Sequence, residues 1–246
     1  MCKFYNMNYW SVGFHSNLYD RLSPESYLES MRRLVTIIPK GKSIQLLDAG
    51  CGSGLLLNFL AGHIREGLVY TGVDLLNAGV EQTLFRAQKL CIGKQVFCFK
   101  SDLTEAFPLT EEKFDVVVGH FSIYTLRSSE KRQVALENLK NVMKLGGILI
   151  LVNPSVNYDP VAIIDESIRL VRDRQGLLAS FIKKMLIYPF TKALGLRFIQ
   201  KQLRVGEWKA FTREELTQEI ENAGFVTQHI EEVYAGSAFL VSGKLT

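Results

Sequence analysis

Short apolar segments alternate with amphipathic segments through the middle of this chain, and this alternation constrains the fold more than any other feature. Apolar runs of strand length lie at 44–49, 68–73, 96–99, 114–119 and 147–152. Patterns of helical spacing lie between them at 53–64, 77–90 and 129–143. Continuously apolar strands joined by helices are typical of a parallel sheet that is covered on both faces. The sequence therefore predicts a doubly wound, mostly parallel α/β sheet with helices on both faces.

The regions outside this alternation predict further elements. Ser23 and Pro24 are favoured at the cap and first position of a helix, and apolar residues at helical spacing follow them. Residues 154–210 are too many for an irregular loop in a compact domain, so a structured helical insertion is expected there. Thr212 and Glu215 have the spacing of a capping box, which predicts a helix over 212–223 with Gly224 as its C-cap. Two strands, at 225–232 and 237–242, are expected to form a hairpin.

A glycine-rich turn follows the first predicted strand, in the segment Asp48-Ala49-Gly50-Cys51-Gly52-Ser53-Gly54. Glycines permit a tight turn and a close approach of a ligand to the backbone. The dinucleotide fingerprint is G-x-G-x-x-G, whereas the glycines here have the spacing G-x-G-x-G. Asp48, just before them, would repel a pyrophosphate and attract an ammonium group. The turn therefore favours a cofactor that has an amino-acid end and no phosphates.

Two further carboxylates follow the next two predicted strands. Asp74 ends the second strand, where an acidic residue can accept hydrogen bonds from both hydroxyls of a ribose. Asp102 follows the third strand, where it can accept a hydrogen bond from an adenine amino group. Because the carboxyl ends of parallel strands meet at one edge of a sheet, Asp48, Asp74 and Asp102 are expected to share one site.

At these residues the chain resembles the class I, Rossmann-like S-adenosylmethionine-dependent methyltransferases, over roughly residues 40–152. Residues 48–54 resemble the first motif of that family, 70–74 the second, 100–103 the third and 114–120 the fourth. Residues 145–150 are similar to the motif that opens the fifth strand. A weaker similarity at 208–216 is to the stretch before the last helix in methyltransferases of quinone and other small-molecule pathways.

The resemblance implies a seven-stranded sheet with an antiparallel last strand, and S-adenosylmethionine as cofactor with S-adenosylhomocysteine as product. It implies that Gly50, Cys51, Gly52 and Gly54 pass close to the methionine part, and that Asp48 positions the ammonium group. It implies that Asp74 binds the ribose, that Leu75 and Leu103 enclose the adenine, and that Ser101 and Asp102 lie beside it. We therefore divide the chain into an N-terminal helical lid segment (1–40), the cofactor-binding core (41–153), a basic helical insertion that caps the acceptor (154–210) and a C-terminal helix with a strand hairpin (211–246).

The sulfonium of this cofactor is already electrophilic, so the protein needs only to align a nucleophile and exclude water. His120 follows the fourth strand, at the expected position of the methyl group, and is both a candidate cofactor contact and a candidate general base. The alternative is a histidine that only shapes the pocket or binds a backbone group. Tyr124 and Ser122 in the same loop are candidates to orient the acceptor.

Aromatic residues also mark the N-terminal segment. Trp10, Phe14, Tyr19 and Tyr27 lie there, and Tyr19 is a candidate contact to the cofactor, since aromatic faces attract sulfonium and ammonium cations. The alternative is that these residues pack the segment onto the core.

The insertion carries an unusual charge. Between Asp165 and Lys209 there are ten Lys or Arg residues and four Asp or Glu residues, together with apolar runs around Phe181 and Met185. This combination suits a cap over an amphiphilic or anionic acceptor, or a transient contact with an anionic membrane surface. The alternative is a solvated lid whose apolar side packs on the sheet.

Composition excludes several other classes. A net charge of +4 over 246 residues does not by itself indicate a nucleic-acid partner. The four cysteines lack the spacing of a zinc site or a disulfide framework and fit a reducing compartment. No signal-peptide pattern opens the sequence, and the apolar runs are of strand length. We therefore expect a cytoplasmic protein without a bound metal.

Methylation of a small molecule on oxygen, nitrogen or carbon is the leading functional hypothesis. The alternatives are a methyltransferase acting on RNA or another nucleic acid, for which no RNA-binding module is recognised, and a non-catalytic cofactor-binding partner subunit. A nicotinamide-dependent oxidoreductase is disfavoured by the glycine spacing and by the position of Asp48.

Overall fold

A seven-stranded sheet forms the centre of the molecule in the computed structural model, which describes residues 18–107 and 114–246. In chain order the strands are β1 (Gln45–Ala49), β2 (Val69–Asp74), β3 (Val96–Lys100), β4 (Phe114–His120), β5 (Met143–Pro154), β6 (Phe225–Val233) and β7 (Ala238–Leu245). Their spatial order is β3-β2-β1-β4-β5-β7-β6. The chain thus reverses direction across the sheet between β1 and β4, which is where ligands bind in open α/β sheets.

The pairing of the strands confirms the predicted sheet. Strands β1 to β5 are parallel to one another, and β7 is antiparallel to both β5 and β6. Asp48 pairs with Gly72 on one side and with Val118 on the other, so the functional ends of β1, β2 and β4 reach the same edge.

Helices cover both faces of this sheet. In chain order they are α1 (Leu18–Leu22), α2 (Glu25–Ile37), α3 (Leu57–Arg65), α4 (Asn77–Lys89), α5 (Ser129–Asn141), α6 (Pro160–Gln175), α7 (Leu177–Ile182), α8 (Tyr188–Phe190), α9 (Arg197–Arg204) and α10 (Arg213–Asn222). Short 3-10 turns lie at Gly93–Gln95 and Ile123–Thr125, and π-helical turns at Lys183–Ile187 and Thr191–Leu196.

Two hydrophobic cores lie on the two faces of the sheet. Successive strand residues point to opposite faces, so Leu46 belongs to one core and Leu47 to the other, and both are fully buried. Helices α2, α3 and α6 pack on the first core, and α5 and α10 on the second. Burial on both faces explains why the strands are continuously apolar.

Two predicted helix starts were wrong. Helix α2 begins at Glu25, after an extended Pro24, so Ser23 is not its cap and no side chain caps it. Helix α3 begins at Leu57 rather than at Ser53, because Gly52 and Gly54 have positive φ angles that no α-helix accommodates. The capping box of Thr212 and Glu215 is present as predicted, whereas helix α10 ends at Asn222 and Gly224 follows its cap with a positive φ.

The insertion between β5 and α10 is helical, as predicted. Helix α6 packs against α2, where Ser26 N donates to Ser167 Oγ at 3.0 Å and the two hydroxyls lie 2.9 Å apart. Glu25 is buried beside them and pairs with Arg32 at 2.9 Å, Arg174 at 3.3 Å and Lys183 at 3.6 Å. Of the helices in the described ranges, none is long and apolar enough to span a membrane.

Candidate functional site

The glycine turn is fixed between β2 and the loop that follows β4. The backbone N–H groups of Gly50 and Cys51 both donate to Val73 O, at 2.8 and 2.9 Å. Gly50 has a φ of +91°, and a Cβ atom there would lie 2.5 Å from Ser122 Cβ. This position therefore accepts only glycine, and the close approach determines how the turn faces the neighbouring loop.

Asp74 supports the turn from the end of β2. Its Oδ2 accepts from Gly52 N and its Oδ1 from Leu76 N, both at 2.9 Å. Burial raises the pKa of Asp74 above its usual value, against the lowering effect of these N–H donors. Asp74 is therefore a structural part of the turn as well as a wall of the cavity described below, which the sequence alone did not indicate.

The role predicted for Gly54 is not supported by its position. Gly54 does not line the cavity, and a Cβ atom there would lie 2.8 Å from Thr83 Oγ1 and 2.9 Å from Thr83 Cα. The glycine at this position serves a close contact between the turn and α4. Of the three glycines, Gly50 and Gly52 face the cavity.

Asp48 lies at the end of β1 and is buried, with 2% of its surface exposed. Tyr70 Oη donates to Asp48 Oδ2 at 2.6 Å. Burial raises the pKa of Asp48 to about 7, and the hydrogen bond from Tyr70 partly opposes that rise. The carboxyl group is therefore close to half-ionised at neutral pH, and a cationic ligand would stabilise its charged form.

One cavity of about 780 Å³ collects the predicted cofactor residues at the carboxyl edge of the sheet. This volume lies in the range of about 300–1,000 Å³ that is usual for small-molecule pockets. Ten of the predicted cofactor residues line it: Asp48, Gly50, Cys51, Gly52, Asp74, Leu75, Ser101, Asp102, Leu103 and His120. The cavity therefore brings together residues from β1, β2 and the segment after β3, as the strand order requires.

The predicted adenine end has an apolar and a polar component. Leu75 is 49% exposed although it is a large apolar residue, and Leu103 lines the same cavity. Asp102 Oδ1 accepts from Thr104 N at 2.8 Å and from Thr104 Oγ1 at 2.7 Å, which leaves Oδ2 without a partner among the described residues. Such a surface can hold an aromatic base between leucines and accept one hydrogen bond from its amino group.

His120 is the last residue of β4 and lines the cavity. Its Nε2 lies 2.9 Å from Ser30 Oγ, and Ser30 Oγ donates to Tyr27 O at 2.8 Å. Because the serine has a single proton, we assign the imidazole proton to Nε2. Nδ1 is then an acceptor, and it is buried without a partner in the described part of the chain.

The surroundings keep this imidazole neutral. Burial lowers the pKa of His120 to about 3, and the rings of Tyr27 and Phe121 lie edge-on to it at 4.7 and 4.9 Å. Ser122 Oγ, close by in the sequence, is also buried without a partner among the described residues. His120 is therefore a weak base whose Nδ1 remains an acceptor without a partner in the described part of the chain, which argues against the predicted role as general base.

Tyr124 and Tyr19 were also predicted to lie at the site. Tyr124 does not line the cavity; it is buried in the second core, edge-on to Trp208 at a ring distance of 5.3 Å. We therefore do not retain Tyr124 as a residue that orients the acceptor. The side chain of Tyr19, together with Trp10 and Phe14, lies outside the described residues.

Several residues of the site were not identified from the sequence. Met31 of α2, Arg127 and Lys131 line the cavity, as does Tyr27, for which the sequence predicts only a place in the N-terminal lid segment. No motif marks these residues. Tyr27 and Met31 have the i, i+4 spacing of an ordinary amphipathic helix, Arg127 lies in the loop before α5 and Lys131 in its first turn, so only the fold brings them to the cavity.

A polar contact connects the N-terminal helix α1 to the glycine turn. Ser53 Oγ donates to Asp20 Oδ1 at 2.7 Å, and Arg86 forms an ion pair with Asp20. Arg86 Nε also donates to Ser53 O at 2.9 Å. The turn is therefore held from both α1 and α4.

The insertion contributes little to the cavity. Of its described residues, only Glu207 and Trp208 near its C-terminal end line the cavity, and 154–206 do not. The predicted cap over the acceptor is therefore not present in this arrangement. Within the described ranges there is also no group of three His, Cys, Asp or Glu residues that could hold a metal ion.

Comparison with known proteins agrees with this site. Residues 40–224 match the family model described as "Methyltransferase domain". The chain is 32% identical over 114 residues to the mRNA cap guanine-N(7) methyltransferase of Schizosaccharomyces pombe, which covers 44% of this chain and 31% of that protein. It is 28% identical over 107 residues to the nocamycin O-methyltransferase of Saccharothrix syringae, which covers 44% of this chain and 38% of that protein. The chain thus spans about a third of the length of these relatives.

The fold is also shared with solved structures. A SAM-dependent methyltransferase from Aquifex aeolicus superposes with a TM-score of 0.62 at 18% identity, covering 94% of this chain and 98% of that one. The match of the family model spans most of the chain and includes the glycine turn and the three carboxylates. This protein belongs to the methyltransferase-domain family, within the class I S-adenosylmethionine-dependent methyltransferases.

Proposed function

We propose that this protein transfers the methyl group of S-adenosylmethionine to a nucleophilic atom of a small, amphiphilic or anionic molecule. The observation that carries the proposal is the convergence of Asp48, Asp74 and Asp102 with the glycine turn on one cavity. A nucleoside derivative without phosphates matches this set of residues. Each carboxylate can accept a hydrogen bond from such a ligand, and the glycine turn contains no cationic residue that would bind a phosphate.

The residues present fit the cofactor. Asp48 would hold the ammonium group of its methionine part, Asp74 the ribose hydroxyls and Asp102 the adenine amino group, while Leu75 and Leu103 would cover the base. Gly50 and Gly52 line the cavity beside these carboxylates, where their backbone would pass close to the methionine part. When bound, S-adenosylmethionine supplies an electrophilic methyl group on a cationic sulfur.

The residues around His120 would hold the methyl acceptor. The unpartnered Nδ1 can accept a hydrogen bond from a hydroxyl or amine of the acceptor. This bond would orient the acceptor so that the lone pair of its oxygen or nitrogen points toward the methyl group. Because the pKa of His120 is about 3, complete transfer of a proton to the ring is unfavourable at neutral pH. We therefore assign His120 to orientation of the acceptor, with the proton leaving to water after or during transfer.

The surroundings support an amphiphilic acceptor. Tyr27, Met31 and Phe121 give an apolar wall near His120. In the same cavity Arg127 pairs with Glu207 at 3.4 Å, and Lys131 contributes a further positive charge. A molecule with an aromatic body and an anionic group would match both surfaces.

The test is an activity screen of the full chain with S-adenosylmethionine that carries a labelled methyl group. Amphiphilic phenols, quinols and aromatic carboxylates are the first acceptors, and the label is followed into the acceptor. Transfer that disappears in Asp74→Asn supports the proposal. Binding of S-adenosylhomocysteine without transfer to any acceptor would instead favour a non-catalytic partner subunit.

A second acceptor class has one specific observation in its favour. The similarity to a guanine-N(7) methyltransferase of the mRNA cap extends over 114 residues at 32% identity. The screen therefore includes a cap dinucleotide and capped RNA. Transfer to these, with none to the small aromatic acceptors, would replace our proposal by nucleic-acid methylation.

A further inference from the structure

The insertion exposes a row of large apolar side chains to solvent. Leu177, Phe181, Met185, Phe190 and Leu194 form this row, which we call the apolar stripe, and their exposed fractions lie between 53% and 76%. Leu178 and Leu186, next to the stripe, are also exposed. Contiguous exposed apolar residues of this kind usually mark an interaction surface.

Helical geometry places these residues on one side of the segment. They are separated by four, four, five and four positions, and the spacing of five spans the region of the π-helical turns. A π-helix bonds residue i to i+5 and so has more residues per turn than an α-helix, which keeps the wider spacing on the same face. The opposite face packs on the protein through Tyr188 and Leu196, which are 2% and 3% exposed.

Positive charge continues the same face toward the C-terminus. Arg197, Lys201 and Arg204 are exposed at positions i, i+4 and i+7 of α9, and Leu194 precedes them by three residues. We call these three residues the basic stripe. Among the described residues none of them forms an ion pair, and the 33 residues 174–206 contain no Asp or Glu.

Neither the apolar stripe nor the basic stripe forms part of the cavity. The apolar residues do not line it, and burial of the inner face by Tyr188 and Leu196 already holds the segment to the core. Exposed leucine and phenylalanine side chains give no stability to the folded chain alone, so their arrangement on one face indicates an occupant outside the described fold.

We propose that the apolar and basic stripes dock the protein on the surface of an anionic lipid bilayer. The apolar side chains would enter the boundary between headgroups and acyl chains, and the basic side chains would lie over anionic headgroups. Helices that bind at membrane interfaces combine an apolar face with flanking Lys and Arg residues in this way. Each Lys or Arg near such a surface contributes about a factor of five in affinity, equivalent to about 1 kcal/mol.

Charge favours a bilayer over a second copy of the chain. A symmetric dimer through this face would place the basic stripe of one copy in the same interface as that of its partner, without acidic residues between 174 and 206 to compensate. Nucleic acid would meet the basic stripe but leave five apolar side chains unburied. A negatively charged surface with an apolar interior matches both stripes.

The experiment is sedimentation of the full chain with vesicles of pure phosphatidylcholine and of equal parts phosphatidylcholine and phosphatidylglycerol. We expect binding to the anionic vesicles that weakens strongly as salt is raised, because exposed charges are screened. The variant Phe181→Ser/Phe190→Ser removes apolar anchors, and Arg197→Gln/Lys201→Gln/Arg204→Gln removes the basic stripe. The triple variant is expected to bind about a hundredfold more weakly.

Matched controls separate this surface from general effects. Phe97→Ser/Leu145→Ser removes two apolar residues of the sheet that are at least about as exposed as Phe190, and Lys40→Gln/Lys42→Gln/Lys94→Gln removes three exposed charges elsewhere. Both are expected to bind vesicles like the parent chain, and all variants are expected to keep the far-ultraviolet circular dichroism and the S-adenosylhomocysteine affinity of the parent.

Three outcomes would overturn the proposal. They are no binding to anionic vesicles, equal loss in the control variants, and a concentration-dependent dimer in light scattering that the Phe181→Ser/Phe190→Ser variant abolishes while vesicle binding is unchanged. The last outcome would assign the apolar stripe to a second copy of the chain.

Discussion

Tyr70 Oη donates a hydrogen bond of 2.6 Å to Asp48 Oδ2, and both side chains are buried, one near the start of β2 and the other near the end of β1. This bond supports the ionised form of Asp48, while burial raises its pKa to about 7. An ammonium group of a ligand needs the ionised form. Binding below about pH 7 therefore requires that Asp48 first release a proton.

We expect the affinity for S-adenosylhomocysteine to fall about tenfold for each pH unit below about pH 7, and to level off above it. In Tyr70→Phe the supporting hydrogen bond is lost, the pKa of Asp48 rises, and the midpoint of this dependence moves to higher pH. Titration calorimetry in buffers of different ionisation enthalpy measures both the affinity and the proton released. An affinity that does not change with pH would contradict the assignment of Asp48 to the ammonium group.

The same carboxyl group limits the stability of the free protein. The pKa of Asp48 in the folded chain lies above the ordinary value of 3.8, so its ionisation progressively destabilises the fold as pH rises from about 4 to about 7. Asp48→Asn removes this effect and retains an acceptor for Tyr70. We expect the variant to be more stable at pH 8 by at most about 4 kcal/mol, and to gain far less at pH 5. Denaturant unfolding at both pH values checks this, and S-adenosylhomocysteine binding should weaken in the same variant.

Asp74 needs a different pair of variants, because it also supports the glycine turn. Asp74→Ala would leave the N–H groups of Gly52 and Leu76 without their partner and should cost about 1–3 kcal/mol of stability in addition to affinity. Asp74→Asn keeps one carbonyl acceptor for the turn but turns its NH2 group toward the other backbone N–H, so it should lose less stability than Asp74→Ala together with the ribose contact. Thermal unfolding and calorimetry together separate the two effects. Unchanged affinity in Asp74→Asn would remove Asp74 from the cofactor site.

Two glycine substitutions test the packing of the turn. Gly54→Ala places a Cβ atom within 2.9 Å of Thr83 Cα at a positive φ, so we expect a loss of about 2–4 kcal/mol. Gly62 lies in α3 with no atom within 4 Å of the position of a Cβ, so Gly62→Ala should stabilise by up to about 1 kcal/mol. Urea unfolding of the two variants gives the comparison. A similar, small effect of both would mean that the turn does not depend on its contact with α4.

The role of His120 predicts the shape of a pH–rate profile. Because the pKa of His120 is about 3, we expect no ionisation of this residue between about pH 5 and pH 8. His120→Gln should lower kcat by about ten- to a hundredfold, if the lost effect is orientation of the acceptor, and leave the shape of the profile unchanged. A rate limb near pH 6.5 that vanishes in His120→Gln would show instead that the residue acts as a general base.

The fold was predictable from the sequence because it depends on patterns that a chain displays locally. Continuous apolar strands such as 116–118 indicate burial on both faces, and the spacing of glycines and carboxylates at 48–54 and 74 locates the cofactor edge. Ten of the predicted cofactor residues line one cavity, because the ends of parallel strands share an edge whatever the details of packing.

The errors arose where long-range packing decides. Gly54 and Tyr124 lie next to cavity residues in the sequence. In the fold, however, Gly54 contacts α4 and the side chain of Tyr124 packs in the second core. Arg127 and Lys131 carry no local signal for a binding site, and the turn that contains Ser128 brings them to the cavity. The insertion was predicted to be basic and helical, but which of its faces turns outward depends on the π-helical turns, which no sequence pattern revealed.

The position of β7 has a consequence for synthesis of the protein on the ribosome. This strand lies between β5 and β6, although it is the last of the seven in chain order. Until residues 238–245 leave the exit tunnel, the hydrogen-bonding edge of β5 has no partner and β6 has nothing to attach to. The nascent chain therefore carries an open strand edge for as long as it takes to translate more than eighty residues, a period in which a chaperone would protect it from pairing with other chains.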